Sequence, residues 1–393
     1  MGNLPCIPKE EYLERIQSAA RLAAERGLDV LVFTSTESDF ANVRYFTGYY
    51  TLWERTGVAI SASGQAAMIV GPEAYATACD YSVIKNIFSL TCYRESADPD
   101  YPEVEVKTFR DVFKSIGVTG NKIRIGLGSF LDTNVEIYLN LKDTYPDAEI
   151  VRADGIVKQL RRKKSANELA CLRAAYDISE RTVAKVLEEM RPGMSESNVA
   201  GIAIRYMYEF GAEDQGMVQY VLSDRSTRHA LSRAYPDRIL GKDSFVQLDI
   251  AARVDGYSSA LGIPVSMGRL TPEQKRYVEF GRDVHEWIKP QLREGVIASD
   301  IAKRTIQYYK DHGFGDNYLY GPLHGLGMIE VEAPWVETST DYPLETGFCY
   351  QIDTFVLGEE IGLRWEEGIT ITKDGFELFN KTPVTNRLYE LGF

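Results

Sequence analysis

Three segments in the second half of the chain alternate like buried strands, yet each carries an acid where a core residue belongs. They are Phe245-Val246-Gln247-Leu248-Asp249-Ile250, Gln351-Ile352-Asp353-Thr354-Phe355 and Arg364-Trp365-Glu366-Glu367-Gly368. A carboxylate on a buried strand is costly unless a metal, a cation or hydrogen bonds compensate it. Taken singly, each acid reads equally well as an edge-strand or salt-bridge residue. Their succession, with an imidazole wrapped in flexible residues at Gly321-Pro322-Leu323-His324-Gly325-Leu326-Gly327, points to one shared pocket.

The length of 393 residues suits two domains. The first half alternates helix and strand signals: a helix over 9–26, a strand at Leu28–Phe33, a hairpin around Ala62-Ser63-Gly64, a strand at Lys122–Gly126 and a helix near 133–143. Arg161-Arg162-Lys163-Lys164 reads as a solvated linker. Directly after it, Ser165-Ala166-Asn167-Glu168 forms a capping box that starts a long helix to about Met190. Thr271-Pro272-Glu273-Gln274 starts another in the same way. Strands are expected at 245–250, 257–265, 348–356 and 363–371. The expected organisation is an α/β domain over 1–160 and a helix-rich α+β domain over 161–393.

With a net charge of −13 the chain lacks the basic footprint of a nucleic-acid binder, so a small-molecule substrate is expected. No apolar run approaches the ~20 residues of a membrane span, and the opening residues show no signal-peptide core. The five cysteines are scattered without a CxxC pair and read as reduced thiols. The expected compartment is the cytoplasm.

Only four histidines exist. His285 lies in a charged helical segment and His312 at a helix end, so both read as structural. His324 is a candidate functional group. So is His229, in Ser226-Thr227-Arg228-His229-Ala230, ahead of a polar loop and a carboxylate-bearing strand.

At this point the residues resemble the creatinase/aminopeptidase P/prolidase family, over nearly the whole chain. Asn42-Val43-Arg44-Tyr45-Phe46-Thr47-Gly48 is similar to its Asn-x-x-Tyr-Leu-Thr-Gly segment. Arg191-Pro192-Gly193-Met194-Ser195-Glu196 is similar to its Arg-Pro-Gly-Met-Thr-Glu turn, His324-Gly-Leu-Gly to its His-Gly-x-Gly and Arg364-Trp-Glu-Glu to its Arg-x-Glu-Asp. The resemblance implies a creatinase/prolidase-type N-terminal domain and a "pita-bread" catalytic domain. It also implies the positions of five metal ligands, two Asp, one His and two Glu. The matching positions are Asp249, Ala260, His324, Asp353 and Glu366, so Ala260 replaces the fifth ligand and Asp353 is one methylene short, about one bond length or ~1.5 Å. The second histidine of the peptidases falls on Val331, followed by Glu332.

Two ions need bridging carboxylates to hold them ~3.5–4 Å apart. The expectation is therefore no metal or one divalent ion, Mn, Fe, Zn or Co, held at Asp249, His324, Asp353 and Glu366. By resemblance, the leading expectation is a creatinase-like hydrolase cleaving a C–N bond of a small cationic or zwitterionic nitrogen compound. His229 would be the general acid and base, Glu366 and Asp353 catalytic, and His324 and Arg364 substrate-binding. Trp53 and Arg55 would complete the partner's pocket in a homodimer. The alternatives are an Xaa-Pro aminopeptidase or dipeptidase, a lyase on the same fold, and a catalytically silent binding module.

Overall fold

The computed structural model describes residues 4–386 and 389–393, which divide into two compact units. One spans Ile7–Arg161; the other spans Arg162 to the C-terminus together with residues 4–6.

In the first unit, α1 (Lys9–Glu25) buries Tyr12, Ile16, Ala19, Ala20 and Ala23 on one face, and Gly27 beyond it takes a left-handed φ of 64°. There follow β1 (Val30–Ser35), α2 (Ala41–Thr47), β2 (Thr56–Ser61), β3 (Ala66–Val70), α3 (Tyr75–Tyr81), β4 (Ile87–Ser89), α4 (Phe109–Ser115), β5 (Arg124–Leu127), α5 (Val135–Thr144), β6 (Glu149–Arg152) and α6 (Gly155–Arg162). Among the described residues the strands form one six-stranded sheet in the order β4-β3-β2-β1-β5-β6. β1 and β2 are buried along their whole length.

The expected solvated linker is a correction. Arg161 is buried in the last turn of α6 and donates from Nη1 to Asn42 Oδ1 at 2.8 Å; Lys164 forms a buried ion pair with Glu332 at 2.8 Å. Partners distant in sequence made these charges internal, which no local composition reveals.

The second unit begins with α7 (Ala166–Glu189), whose capping box forms between Ser165 and Glu168 in both directions. It continues through α8 (Glu196–Glu209), β7 (Asp214–Gln215), β8 (Tyr220–Ser223), β9 (Phe245–Ile250), β10 (Ala252–Val254), β11 (Tyr257–Ser258), β12 (Leu261–Ser266), α9 (Pro272–Ile288) and α10 (Ala298–Asp311). The chain closes with β13 (Leu323–Gly325), β14 (Glu332–Val336), β15 (Cys349–Leu357), β16 (Gly362–Ile371), β17 (Phe376–Leu378) and β18 (Tyr389–Glu390). The main sheet runs β14-β13-β15-β16-β12-β9-β8, with β17 on β16 and β18 on β12.

The single strand expected over 257–265 is interrupted at Ser259-Ala260. There Ser259 Oγ donates to the Ala252 carbonyl at 3.0 Å, and the Ser259 amide donates to the same oxygen. This detour separates β11 from β12 and leaves Ala260 fully buried.

Candidate active site

Register builds the site. Tyr220 pairs with Asp249, Asp249 with Gly262, Gly262 with Glu366, and Glu366 with Asp353, so four side chains and one gap form a row across β8, β9, β12, β16 and β15. Directly paired residues share a face of the sheet. Gly262 is the gap: a Cβ there would lie 2.6 Å from Glu366 Cβ. Its missing side chain lets acids on strands two apart face a common space.

His324, on β13, joins this row. Its Nε2 lies 3.8 Å from Oε1 of Glu366 and 3.6 Å from Oε1 of Glu330. Ligand atoms of His324, Asp353 and Glu366 lie within 4.8 Å of one another, all three residues buried. Arg364 Nη1 stands 3.5 Å from Asp249 Oδ2 and 3.9 Å from Asp353 Oδ2, while its Nη2 donates to the Ala230 carbonyl at 2.6 Å. Tyr320 donates its hydroxyl proton to Asp353 Oδ2 at 2.6 Å.

The acids here are under-satisfied. Both oxygens of Asp249, Oε1 of Glu330, Oδ1 of Asp353 and Oε2 of Glu366 are buried without a hydrogen-bond partner among the described residues. Such groups need a cation or a polar ligand. Burial first, then the Glu366 charge, pushes the Asp249 carboxyl well above the usual range. Burial, Asp353 and Glu330 push Glu366 up to about 7. Burial alone would lower His324, but Glu330 and Glu366 outweigh it and raise it to about 9.

A donor set of one imidazole and two carboxylates with free oxygens fits a single divalent ion with an open coordination position. A pair of ions does not fit. Position 260 offers a methyl group, and Asp249 faces Arg364 instead.

Adjacent acids serve opposite faces. Glu367, next to Glu366, accepts from Lys289 Nζ at 2.6 Å and Asn380 Nδ2 at 2.7 Å, and lies 3.2 Å from His285 Nε2. His285 is fully buried in this network and His312 Nδ1 meets the Tyr308 carbonyl at 2.8 Å, both away from the carboxylate row.

Of the residues singled out from the sequence, Asp249, His324, Asp353, Arg364 and Glu366 come together. His229 does not join them. Its ring is exposed in a surface pocket, and no bond links it to the carboxylates among the described residues, although the next residue's carbonyl holds Arg364. The loop that carries it turns the imidazole outward, so the expected proton shuttle is not in place here. Trp53 lies in the loop before β2, 73% exposed, with a left-handed φ of 59°. Arg55 is half-buried and donates to the Arg94 carbonyl at 3.4 Å. Val331 is exposed and Glu332 is occupied by Lys164.

Glu330 and Tyr320 escaped the sequence reading. The signal for Glu330 was an acid three residues past the glycine-rich run around His324. Tyr320 gave none, since its partner lies on another strand.

Residues 170–373 match the metallopeptidase family M24 and residues 15–163 match the creatinase/prolidase N-terminal domain. The chain is 25% identical over 376 residues to the uncharacterized peptidase YqhT of Bacillus subtilis, covering 94% of this chain and 98% of that one. It is 23% identical over 372 residues to an Xaa-Pro dipeptidase of Pyrococcus furiosus, with 94% and 98% covered. The solved X-Pro aminopeptidase of Thermotoga maritima superimposes with a TM-score of 0.82 at 19% identity, over 95% and 99% of the two chains. These relatives carry peptidase names, which favour the peptidase alternative over the creatinase-like expectation. No helix among the described residues is long and apolar enough to cross a membrane. The chain belongs to the metallopeptidase family M24, and is a hydrolase of C–N bonds.

Proposed function

We propose that this protein hydrolyses the Xaa-Pro bond of short peptides at a centre built for one divalent cation. The observation that carries this reading is the convergence of His324, Asp353 and Glu366 within 4.8 Å, with carboxylate oxygens left free. The Xaa-Pro dipeptidase and aminopeptidase names of full-length relatives support the substrate class.

His324, Asp353 and Glu366 would hold the ion. The chemistry that a divalent cation supplies there is Lewis-acid polarisation of the scissile carbonyl and activation of water. The protein's own groups do the rest. Tyr320 fixes the orientation of Asp353 through Oδ2. Arg364 neutralises Asp249 and steadies Asp353. Glu330 presents an unpartnered Oε1 beside His324, placed to take a proton from the attacking water. Burial of the whole row keeps bulk water away and strengthens each charge interaction.

A second reading rests on Ala260. Losing the fifth ligand is what the creatinase-like branch would share, with a small cationic nitrogen compound as substrate. One experiment separates the two: chelate the protein, titrate Zn, Mn and Co by calorimetry, and assay Ala-Pro and creatine in parallel. The proposal expects one equivalent bound and Ala-Pro hydrolysis that chelation abolishes. Two equivalents, or creatine turnover without Ala-Pro turnover, would overturn it.

A further inference from the structure

At the end of the β15–β16 hairpin opens a pocket of about 630 Å³ lined by Arg225, Arg228, His229, Arg238 and Leu357. Three guanidiniums around one cavity stand out in a chain of net charge −13. They are poorly neutralised. Arg228 is half-buried and has no ion pair or side-chain hydrogen bond among the described residues. Arg225 meets Glu360 at 3.2 Å, but both are more than 60% exposed, and such surface pairs are worth about 0–1 kcal/mol. Arg238 approaches Glu196 only to 3.6 Å, and its Nη1 is buried without a hydrogen-bond partner.

The walls of this pocket are built rather than incidental. The buried Glu196 carboxylate accepts from the Ser223 amide at 2.7 Å, from Ser226 Oγ at 3.0 Å and from the Tyr235 amide at 3.1 Å. One side chain thus pins both stems of the loop that carries the arginines. Gly362 admits the loop against β16: a Cβ there would lie 2.7 Å from Arg228 Cα.

The pocket shares a face with the carboxylate row. Asp353, Phe355 and Leu357 alternate onto one side of β15, and their partners on β16 are Glu366, Arg364 and Gly362. Four residues of strand place Leu357 about 13 Å from Asp353. Between them the Arg364 guanidinium lies 5.2 Å over the Phe355 ring, with Tyr320 stacked on that ring at 5.7 Å. An arginine and two aromatic rings thus occupy the strand positions between the centre and the arginines.

We propose that this pocket binds the anionic C-terminal carboxylate of a peptide longer than a dipeptide. An extended chain advances ~3.3 Å per residue, so a carboxylate near the arginines belongs to a substrate with about three residues beyond the scissile bond. A dipeptide's carboxylate falls far short. The inference rests on the Xaa-Pro reading for its substrate and adds a length and charge preference to it.

The test compares Ala-Pro, Ala-Pro-Ala-Ala and its C-terminal amide, by kcat/KM with divalent cation present and by calorimetric binding to cation-free protein. The proteins are the wild type, Arg225→Ala/Arg228→Ala and Arg228→Lys. The free acid should exceed the amide about tenfold in kcat/KM and in affinity. The double variant should lose that preference while Ala-Pro hydrolysis stays unchanged, and Arg228→Lys should keep most of it. Equal handling of acid and amide by the wild type, or a preference that survives the double variant, overturns the proposal. So does inorganic phosphate bound at the arginines without displacement by the tetrapeptide acid, since the pocket would then serve a separate anion. Lack of all peptide hydrolysis would count against the Xaa-Pro reading alone, because the binding arm still reads the pocket.

Discussion

Oδ2 of Asp249 lies 3.5 Å from Nη1 of Arg364, and neither oxygen of Asp249 accepts a hydrogen bond among the described residues. The acid on β9 is therefore held in the interior by one cation on β16. Removing one partner of a buried pair strands the other, at a cost of about 3–5 kcal/mol. Arg364→Ala should lose that much stability in urea denaturation of cation-free protein. Adding Asp249→Asn should restore part of it. A double variant as unstable as the sum of the two single variants would show that the pair is not coupled.

Tyr320 holds Asp353 through Oδ2 and so orients one of the three grouped donors. Partners of this kind typically contribute 10–100-fold to metal affinity. Tyr320→Phe should weaken binding of Zn or Mn by about that factor, read by competition with a chelator. Unchanged affinity would remove Tyr320 from the site's support.

Ala260→Asp restores the acid that two-ion members of the fold carry at that position. In cation-free protein it adds another buried, unpaired carboxyl, so the melting temperature should fall; a buried polar group without a partner costs about 1–3 kcal/mol. Divalent cation should then stabilise the variant more than the wild type, by about 2.7 kcal/mol at a hundredfold excess over its Kd. Native mass spectrometry should count two ions in place of one. A variant that still holds one ion would show that side chains other than residue 260 limit the stoichiometry.

Glu367 sets an acid limit on stability. Burial would raise its carboxyl, but His285 and Lys289 outweigh burial and hold it at about 2. A depressed folded pKa contributes stability above the ordinary value near 4.5, and that stability disappears as pH falls from there through about 2. The loss is on the order of 3 kcal/mol at 1.36 kcal/mol per unit. Denaturation midpoints measured between pH 5 and 2 should show this decline, and Glu367→Gln should flatten it. An equally steep decline in Glu367→Gln would place the acid sensitivity elsewhere.

Much of the site was legible because its acids violate strand alternation. Asp249, Asp353 and Glu366 stand where apolar residues belong, and the glycines beside His324 mark a close backbone approach. Helix starts at Ser165 and Thr271 were legible for a related reason, since a capping box is satisfied within four residues. Boundaries that depend on distant partners were not: Arg161 and Lys164 look like a linker until Asn42 and Glu332 are brought to them.

The sequence by itself determined which residue types are present for the chemistry: two candidate imidazoles, three strand acids, an arginine among them, and alanine at position 260. Only the tertiary structure decided which of them meet. Gly262 opens the row because its neighbours on β9 and β16 carry the acids, Glu330 enters it from the loop after His324, and Tyr320 enters it 33 residues before its partner Asp353. His229 is left outside, exposed at the arginine pocket. Local pattern fixes a side chain's strand and face, but the register between strands, set by packing across the whole sheet, fixes its neighbours.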